Sequence, residues 1–276
     1  MARPFGWQLR ATESSHFEII RRDNGQFAAV LNHALLRGVR AEMIHWWFRR
    51  FTHLRVRLVD VPGFEDATVP AYLLWHPTDH HSAVLSGTLG PGGEPRPGCS
   101  IHIREAMQFD RYGWNYPVDA RLRVAYVAGD GWAMGRFPPV FGGAMVLRIH
   151  FSDVFEEGVH QGVHYHYEVS IGLPGRGPLH RLINQRLSAS FGPEFFSAWH
   201  RHNVIEVGTF ENFLPALYEQ RADESRLVYS REMNPQTGAS MDQRGFDRDL
   251  FERRVAQYQQ CSDTRACQAS DQASFL

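Results

Sequence analysis

The sequence predicts an α+β domain in which a curved antiparallel sheet wraps around a long C-terminal helix. Three observations predict it. Segments with strand-like patterning follow one another between Leu54 and Gly172. Helical periodicity brackets that run, over 39–51 before it and over 194–214 after it. Glycine and proline dominate GTLGPGGEPRPG (87–98), which reads as a loop between strands.

The elements follow in chain order. In VRAEMIHWWFRRF, Val39, Met43, Trp46, Trp47 and Phe51 recur at helical spacing, although Arg50 also falls on that stripe. From Leu54, LRVRLVD alternates, Pro62-Gly63 breaks the pattern, and PAYLLWHP resumes an extended one. Further strands are expected in SIHIRE (100–105), ARLRVAYVAG (120–129), AMVLRIHF (144–151) and VHYHYEVSIG (163–172). Few turn signals occur between Gly177 and Tyr218 apart from Gly192-Pro193, and 194–214 is read as a helix. Residues 221–245 are polar and loop-like, 246–258 carry a last amphipathic helix, and the tail is expected to be disordered. The expected units are an N-terminal helical segment (1–53), the main domain (54–220), a C-terminal extension (221–258) and a tail (259–276).

Composition bounds the chemistry. The chain has 276 residues, 43% of them hydrophobic and 13% aromatic, enough for one substantial core. A net charge of −1 gives no reason to expect nucleic acid or an anionic membrane as partner. All 29 basic residues are arginine, so Schiff-base and P-loop lysine chemistry are excluded. The three cysteines make no disulfide framework, the N-terminus lacks a secretory pattern, and no apolar run approaches the roughly 20 residues that cross a bilayer. The expectation is a cytoplasmic soluble protein.

The sharpest local signal is His202-Asn203-Val204-Ile205-Glu206. An i, i+4 spacing puts His202 and Glu206 one turn apart on one helix face, which continues into Phe210 and Phe213. A carboxylate on an apolar face needs a partner; an isolated pair of this kind more often hydrogen-bonds than binds metal. In SIHIRE the alternation sets Glu105 beside Ile101 and Ile103, facing inward, so it is protonated, paired with an arginine such as Arg121 or Arg123, or bound to a metal. The run His76-Pro77-Thr78-Asp79-His80-His81 adds candidate ligands, and at least two of its histidines are expected to be solvated. In VHYHYE the apolar face is Val163, Tyr165, Tyr167 and Val169, so His164 and His166 are read as facing water.

At these residues the sequence resembles the 2,4-diacetylphloroglucinol hydrolase family. The resemblance rests on AEMIHWWF (41–48), AYLLWHPTDH (71–80), SIHIREAMQFD (100–110) and HNVIEVGTFENFLPALY (202–218), the last being the most specific. It implies a Bet v 1-like helix-grip fold preceded by N-terminal helices, and one Zn²⁺ per chain held by two histidines and two glutamates. Carried onto this chain, the metal ligands are His80, Glu105, His202 and Glu206, with His76 as the substitute for His80. The implied substrate-binding residues are Tyr72, His150 and Tyr165. Tyr72 also has a catalytic role, as does Glu105 or Glu206 on leaving the metal to act as base.

The implied reaction is hydrolysis of the carbon–carbon bond between an acyl group and a phloroglucinol-type ring. Protonating a ring carbon turns the ring into a β-diketone, and cleavage then releases a stabilised enolate. The metal polarises the acyl carbonyl and activates water. Two other readings stand beside this one: a carrier of hydrophobic polyphenols without chemistry, and a metal-dependent polyketide cyclase or isomerase. The expected partner is a small acyl-polyphenol, and a homodimer is left open.

Overall fold

The backbone is organised by one long antiparallel meander. A computed structural model describes residues 7–58, 68–76, 78–109, 115–136, 145–189, 191–223 and 227–229. Strands β1 (His16–Arg21), β2 (Phe27–Asn32), β5 (His80–Ser86), β6 (Ser100–Ala106), β7 (Pro117–Ala128), β8 (Gly131–Arg136), β9 (Met145–Glu156) and β10 (Val159–Ile171) form an eight-stranded sheet. Its order is β1-β2-β10-β9-β8-β7-β6-β5, so the strands from β5 to β10 pair with their chain neighbours and the N-terminal hairpin adds on beside β10. A smaller sheet joins β3 (Leu54–Arg57) to β4 (Thr68–Pro70) and to β11 (Leu227–Tyr229).

Alternation decides which side of the large sheet is the core. Leu122 and Val124 on β7, and Leu147, Ile149 and Phe151 on β9, are buried, while Arg121, Arg123, Arg148 and His150 between them are exposed. Across that buried face lies α4 (Pro193–Gly208), continued by α5 (Phe210–Glu219). Pro193 at the first turn starts α4, its missing N–H being one that the helix end leaves unpaired anyway. Phe196, Ala198, Trp199 and the whole of 202–208 on α4 are buried. Tyr167 of β10 meets Trp199 with ring centroids 5.3 Å apart. The architecture is therefore the expected one, a sheet gripping a long C-terminal helix.

Several expectations are corrected in detail. The helical stripe at 39–51 shortens to α1 (Ala41–Phe48), which buries Ile44, Trp47 and Phe48; Trp46 is only half-buried. The rest of the expected helical segment 1–53 is not helical over 16–32, where β1 and β2 form a hairpin of the main sheet. Asn24-Gly25 makes its turn, with Gly25 at a φ of +79° and Arg22 N–H donating to Gln26 O at 2.8 Å. The segment 71–76, expected to be extended, contains the single turn α2 (Tyr72–Trp75), all four of whose side chains are buried. The long helix runs past 214 to Glu219, with one boundary at Thr209. A further helix, α3 (Pro178–Ala189), precedes it where none was expected. The expected helix 246–258, the tail 259–276 and Pro77 lie outside the described residues. Among the described helices, none is long and apolar enough to cross a membrane.

Candidate metal centre

The chain folds the run after β4 tightly because its backbone groups find local partners. Ala71 N–H donates to Leu54 O at 2.9 Å, which anchors α2 to β3. His76 Nδ1 then accepts from the backbone N–H groups of Thr78 (3.3 Å) and Asp79 (3.1 Å), closing the turn into β5. His76, Asp79, His80 and His81 are all at most 2% exposed, so the expectation that two of these histidines are solvated is overturned.

Three elements bring four donors together. His80 opens β5 and Glu105 lies directly opposite it on β6. His202 and Glu206 come from successive turns of α4. His80 Nε2 lies 3.6 Å from Glu105 Oε1 and 3.4 Å from Glu206 Oε1. His202 Nε2 lies 3.6 Å from Glu105 Oε2 and 3.9 Å from Glu206 Oε2. Donor atoms of His80, Glu105 and His202 all fall within 4.8 Å of one another, a grouping that could hold a metal ion.

The tautomers suit that role. His80 Nδ1 sits 2.9 Å from the carbonyl of Tyr72, which can only accept, so Nδ1 carries the proton and the Nε2 lone pair faces the carboxylates. Within the protein, that buried Nε2 has no hydrogen-bond partner. His202 Nδ1 lies 2.9 Å from Asp79 Oδ2, which likewise fixes its proton and turns Nε2 inward. Tyr72 stacks flat on His80 (centroids 4.0 Å, interplanar angle 9°) and donates its hydroxyl to Glu105 Oε1.

Electrostatics also favour a cation. Burial lowers the His202 pKa, but the hydrogen bond to Asp79 and the charges of Glu105 and Glu206 outweigh it and raise it to about 9. Without another cation, the imidazole itself takes the positive charge that the carboxylates require. Burial opposes ionisation of Asp79, yet His76 and His202 hold its carboxyl below the usual carboxylate range. Burial, reinforced by Glu105, pushes the Tyr72 phenol well above its ordinary value, so it keeps its proton.

His76, the substitute for His80, belongs to a second close grouping with Asp79 and His202. Its Nδ1 is used by two backbone N–H groups, and a cation bound by this trio through His202 Nδ1 would have to displace the proton held by Asp79. The first grouping keeps every one of these hydrogen bonds and is the better site.

The structure separates the remaining expected residues. Tyr72 joins the four donors. His150 is exposed on the outer face of β9, because inward Ile149 and Phe151 flank it; it does not reach the interior and is withdrawn as a substrate contact. Tyr165 points inward and is fully buried, packing on Phe151 and His33, and the charge of Glu206 adds to burial in raising its phenol well above the ordinary value. Tyr167, two residues on, lines the cavity. Two residues therefore escaped the sequence reading. Tyr167 shared the inward parity of Tyr165, and Asp79 stood in plain sight inside the histidine run.

The four-donor site opens on an apolar cavity of about 140 Å³ between the sheet and α4. That is close to the roughly 150 Å³ of an apolar cavity known to accept one benzene ring. Phe48, Phe51, Trp75, Trp132, Met134, Phe195, Phe196 and Trp199 wall it, and Tyr72, Glu105, His202 and Glu206 supply polar groups.

No protein-family model matches the chain, and no curated protein sequence matches it. Among solved structures it is similar to Ara h 8.0201, at 11% identity and a TM-score of 0.32, over 68% of this chain and 98% of that one. It is also similar to SA2116, a Staphylococcus aureus protein of unknown function, at 11% identity and a TM-score of 0.31, over 70% of this chain and 98% of that one.

Proposed function

We propose that this protein is a metal-dependent enzyme acting on an aromatic ketone held in the apolar cavity. The specific reaction, which the sequence resemblance implies, is zinc-dependent hydrolysis of the carbon–carbon bond between an acyl group and a phloroglucinol-type ring. The observation that carries the proposal is the inward-facing quartet of His80, Glu105, His202 and Glu206, with both imidazoles pinned through Nδ1. Two carboxylates sharing a buried space are costly without a cation between them. Mixed imidazole and carboxylate donors suit Zn²⁺.

A divalent ion bound there supplies a Lewis acid that polarises a carbonyl and makes water a nucleophile near neutral pH. The chain's own groups do the rest. Tyr72 retains its proton and directs it at Glu105, which places a proton donor and an acceptor side by side in the cavity lining. Asp79 keeps the His202 proton on Nδ1. The Phe, Trp and Met wall receives the ring and excludes bulk water.

The mostly apolar wall also suits a carrier that does no chemistry, so the test must separate the two. Metal content is measured by mass spectrometry on wild type, His202→Ala and Glu206→Ala, followed by incubation of the loaded wild type with acylphloroglucinols. About one zinc per chain, lost in both variants, with release of the carboxylic acid, supports the enzyme. A folded wild type that takes up no zinc overturns it and leaves the carrier.

A further inference from the structure

Among the described residues that wall the cavity, three buried polar side-chain atoms have no hydrogen-bond partner: Nε1 of Trp75, Nε1 of Trp132 and Oδ1 of Asn203. The two indoles are donors. Asn203 Oδ1 is the acceptor, and it is the more telling of the three because asparagine is a poor choice for the interior of a helix. Asn203 is 1% exposed and lies in the middle of α4, on the cavity side with Trp199 and Glu206.

Its amide is not free to turn. Nδ2 donates to the carbonyl of Trp199 one turn earlier at 2.9 Å, so the two ends of the group cannot exchange without losing that bond. The oxygen is thereby kept as a buried acceptor without a protein partner. A buried carbonyl left unmatched costs about 1–3 kcal/mol, and an apolar residue of similar size would avoid that cost. Such an acceptor is available to a donor that a ligand brings into the cavity.

We propose that Asn203 is a specificity-determining residue of this cavity, and that its Oδ1 accepts a hydrogen bond from a hydroxyl group on the ring of an aromatic ligand. The inference rests on reading the cavity as the site of a phenolic ligand, and it deepens that reading by assigning the side chain that recognises a ring hydroxyl. A site with a fixed acceptor discriminates strongly, because a ligand that lacks the hydroxyl leaves the buried oxygen unpaired. Methylating the hydroxyl removes the donor while keeping the ring.

The test uses the metal-loaded protein and two ligands with no carbonyl to cleave, an alkylphloroglucinol and its tri-O-methyl ether. Binding is followed by quenching of tryptophan fluorescence, since Trp75, Trp132 and Trp199 line the cavity. Wild type is expected to bind the phenol at least about 10-fold more tightly than the ether. In Asn203→Leu that ratio falls to about 2 or less, while ether affinity and metal content stay within about twofold of wild type. Asn203→Ala, which favours helix and adds no bulk, gives the same loss of ratio and serves if the leucine variant does not fold. A ratio that survives in a variant retaining metal and ether affinity overturns the assignment. Equal binding of both ligands by wild type also overturns it, while leaving the ligand site intact. Failure of wild type to bind either ligand overturns both this inference and the function on which it rests.

Discussion

At Asp79 one buried carboxylate joins three parts of the chain. Oδ2 accepts from His202 Nδ1 at 2.9 Å and from Gln108 N–H at 2.8 Å; Oδ1 accepts from Phe109 N–H at 3.1 Å and from the Thr78 hydroxyl at 2.7 Å. In Asp79→Asn one of these oxygens becomes a donor, and facing His202 it forces the imidazole proton to the inward nitrogen. Zinc affinity, measured by competition with a coloured chelator, is expected to fall about 10- to 100-fold, with ¹⁵N imidazole shifts reporting the altered His202 tautomer. A folded variant with unchanged affinity would remove Asp79 from this role. Much of the residue-scale site was legible: the i, i+4 spacing placed His202 with Glu206, and strand parity turned Glu105 inward. Parity could also have rejected His150, which stands between inward Ile149 and Phe151. It could not separate Tyr165 from Tyr167, which face the same way and differ only by roughly 7 Å of depth along the strand. Asp79 was missed because burial of a short polar run is set by its turn, which no periodicity reports.

Among the elements, the pairing of β9 with β10 shifts register between His160 and Gly162. Gly162 has a φ of +150°, and a Cβ there would collide with the carbonyl of Leu36, the residue bridged to Val163. The obstacle is backbone, so it cannot rotate away. Gly162→Ala is therefore expected to cost at least about 2 kcal/mol, read as a lower urea midpoint with an unchanged slope. A loss below about 0.5 kcal/mol would mean that the bulge is not constrained as described. A lone glycine beside a strand pattern is itself a bulge signal. Asn24-Gly25 marks the N-terminal hairpin in the same way, but Phe27–Leu31 reads as an unbroken apolar run because both faces of β2 are buried. The four-residue turn α2 left no such mark, because one turn is too short for a helical period to repeat.

For the whole molecule, stability against acid includes a contribution from His33, which is 4% exposed and lies edge-on to Tyr165. Burial, aided by the nearby Arg10, lowers its pKa from 6.5 to about 3. Above pH 6.5 both the folded and unfolded forms hold this ring neutral. As pH falls below 6.5 the unfolded chain takes up a proton that the folded chain refuses, so stability drops until about pH 3. Between pH 7 and 5 this ring alone accounts for about 2 kcal/mol. In His33→Leu the fall measured by urea unfolding is expected to be shallower by that amount; an identical pH slope in the two proteins would dismiss the assignment. The order of strands and the closing helix were legible at this scale because alternation and helical period persist over many residues. The place of the first hairpin in the sheet was not, since it depends on a pairing between chain segments more than a hundred residues apart.

That distance also bears on the site. His80 and Glu105 sit on β5 and β6, at the end of the sheet opposite β1, while His202 and Glu206 belong to the helix that crosses it. An ion held by all four would close a loop of roughly a hundred residues, the span over which a covalent bridge restricts an unfolded chain by several kcal/mol. The reagent of the reaction would then also be a reversible cross-link, and a chain deprived of it would lose its fastening and its chemistry together.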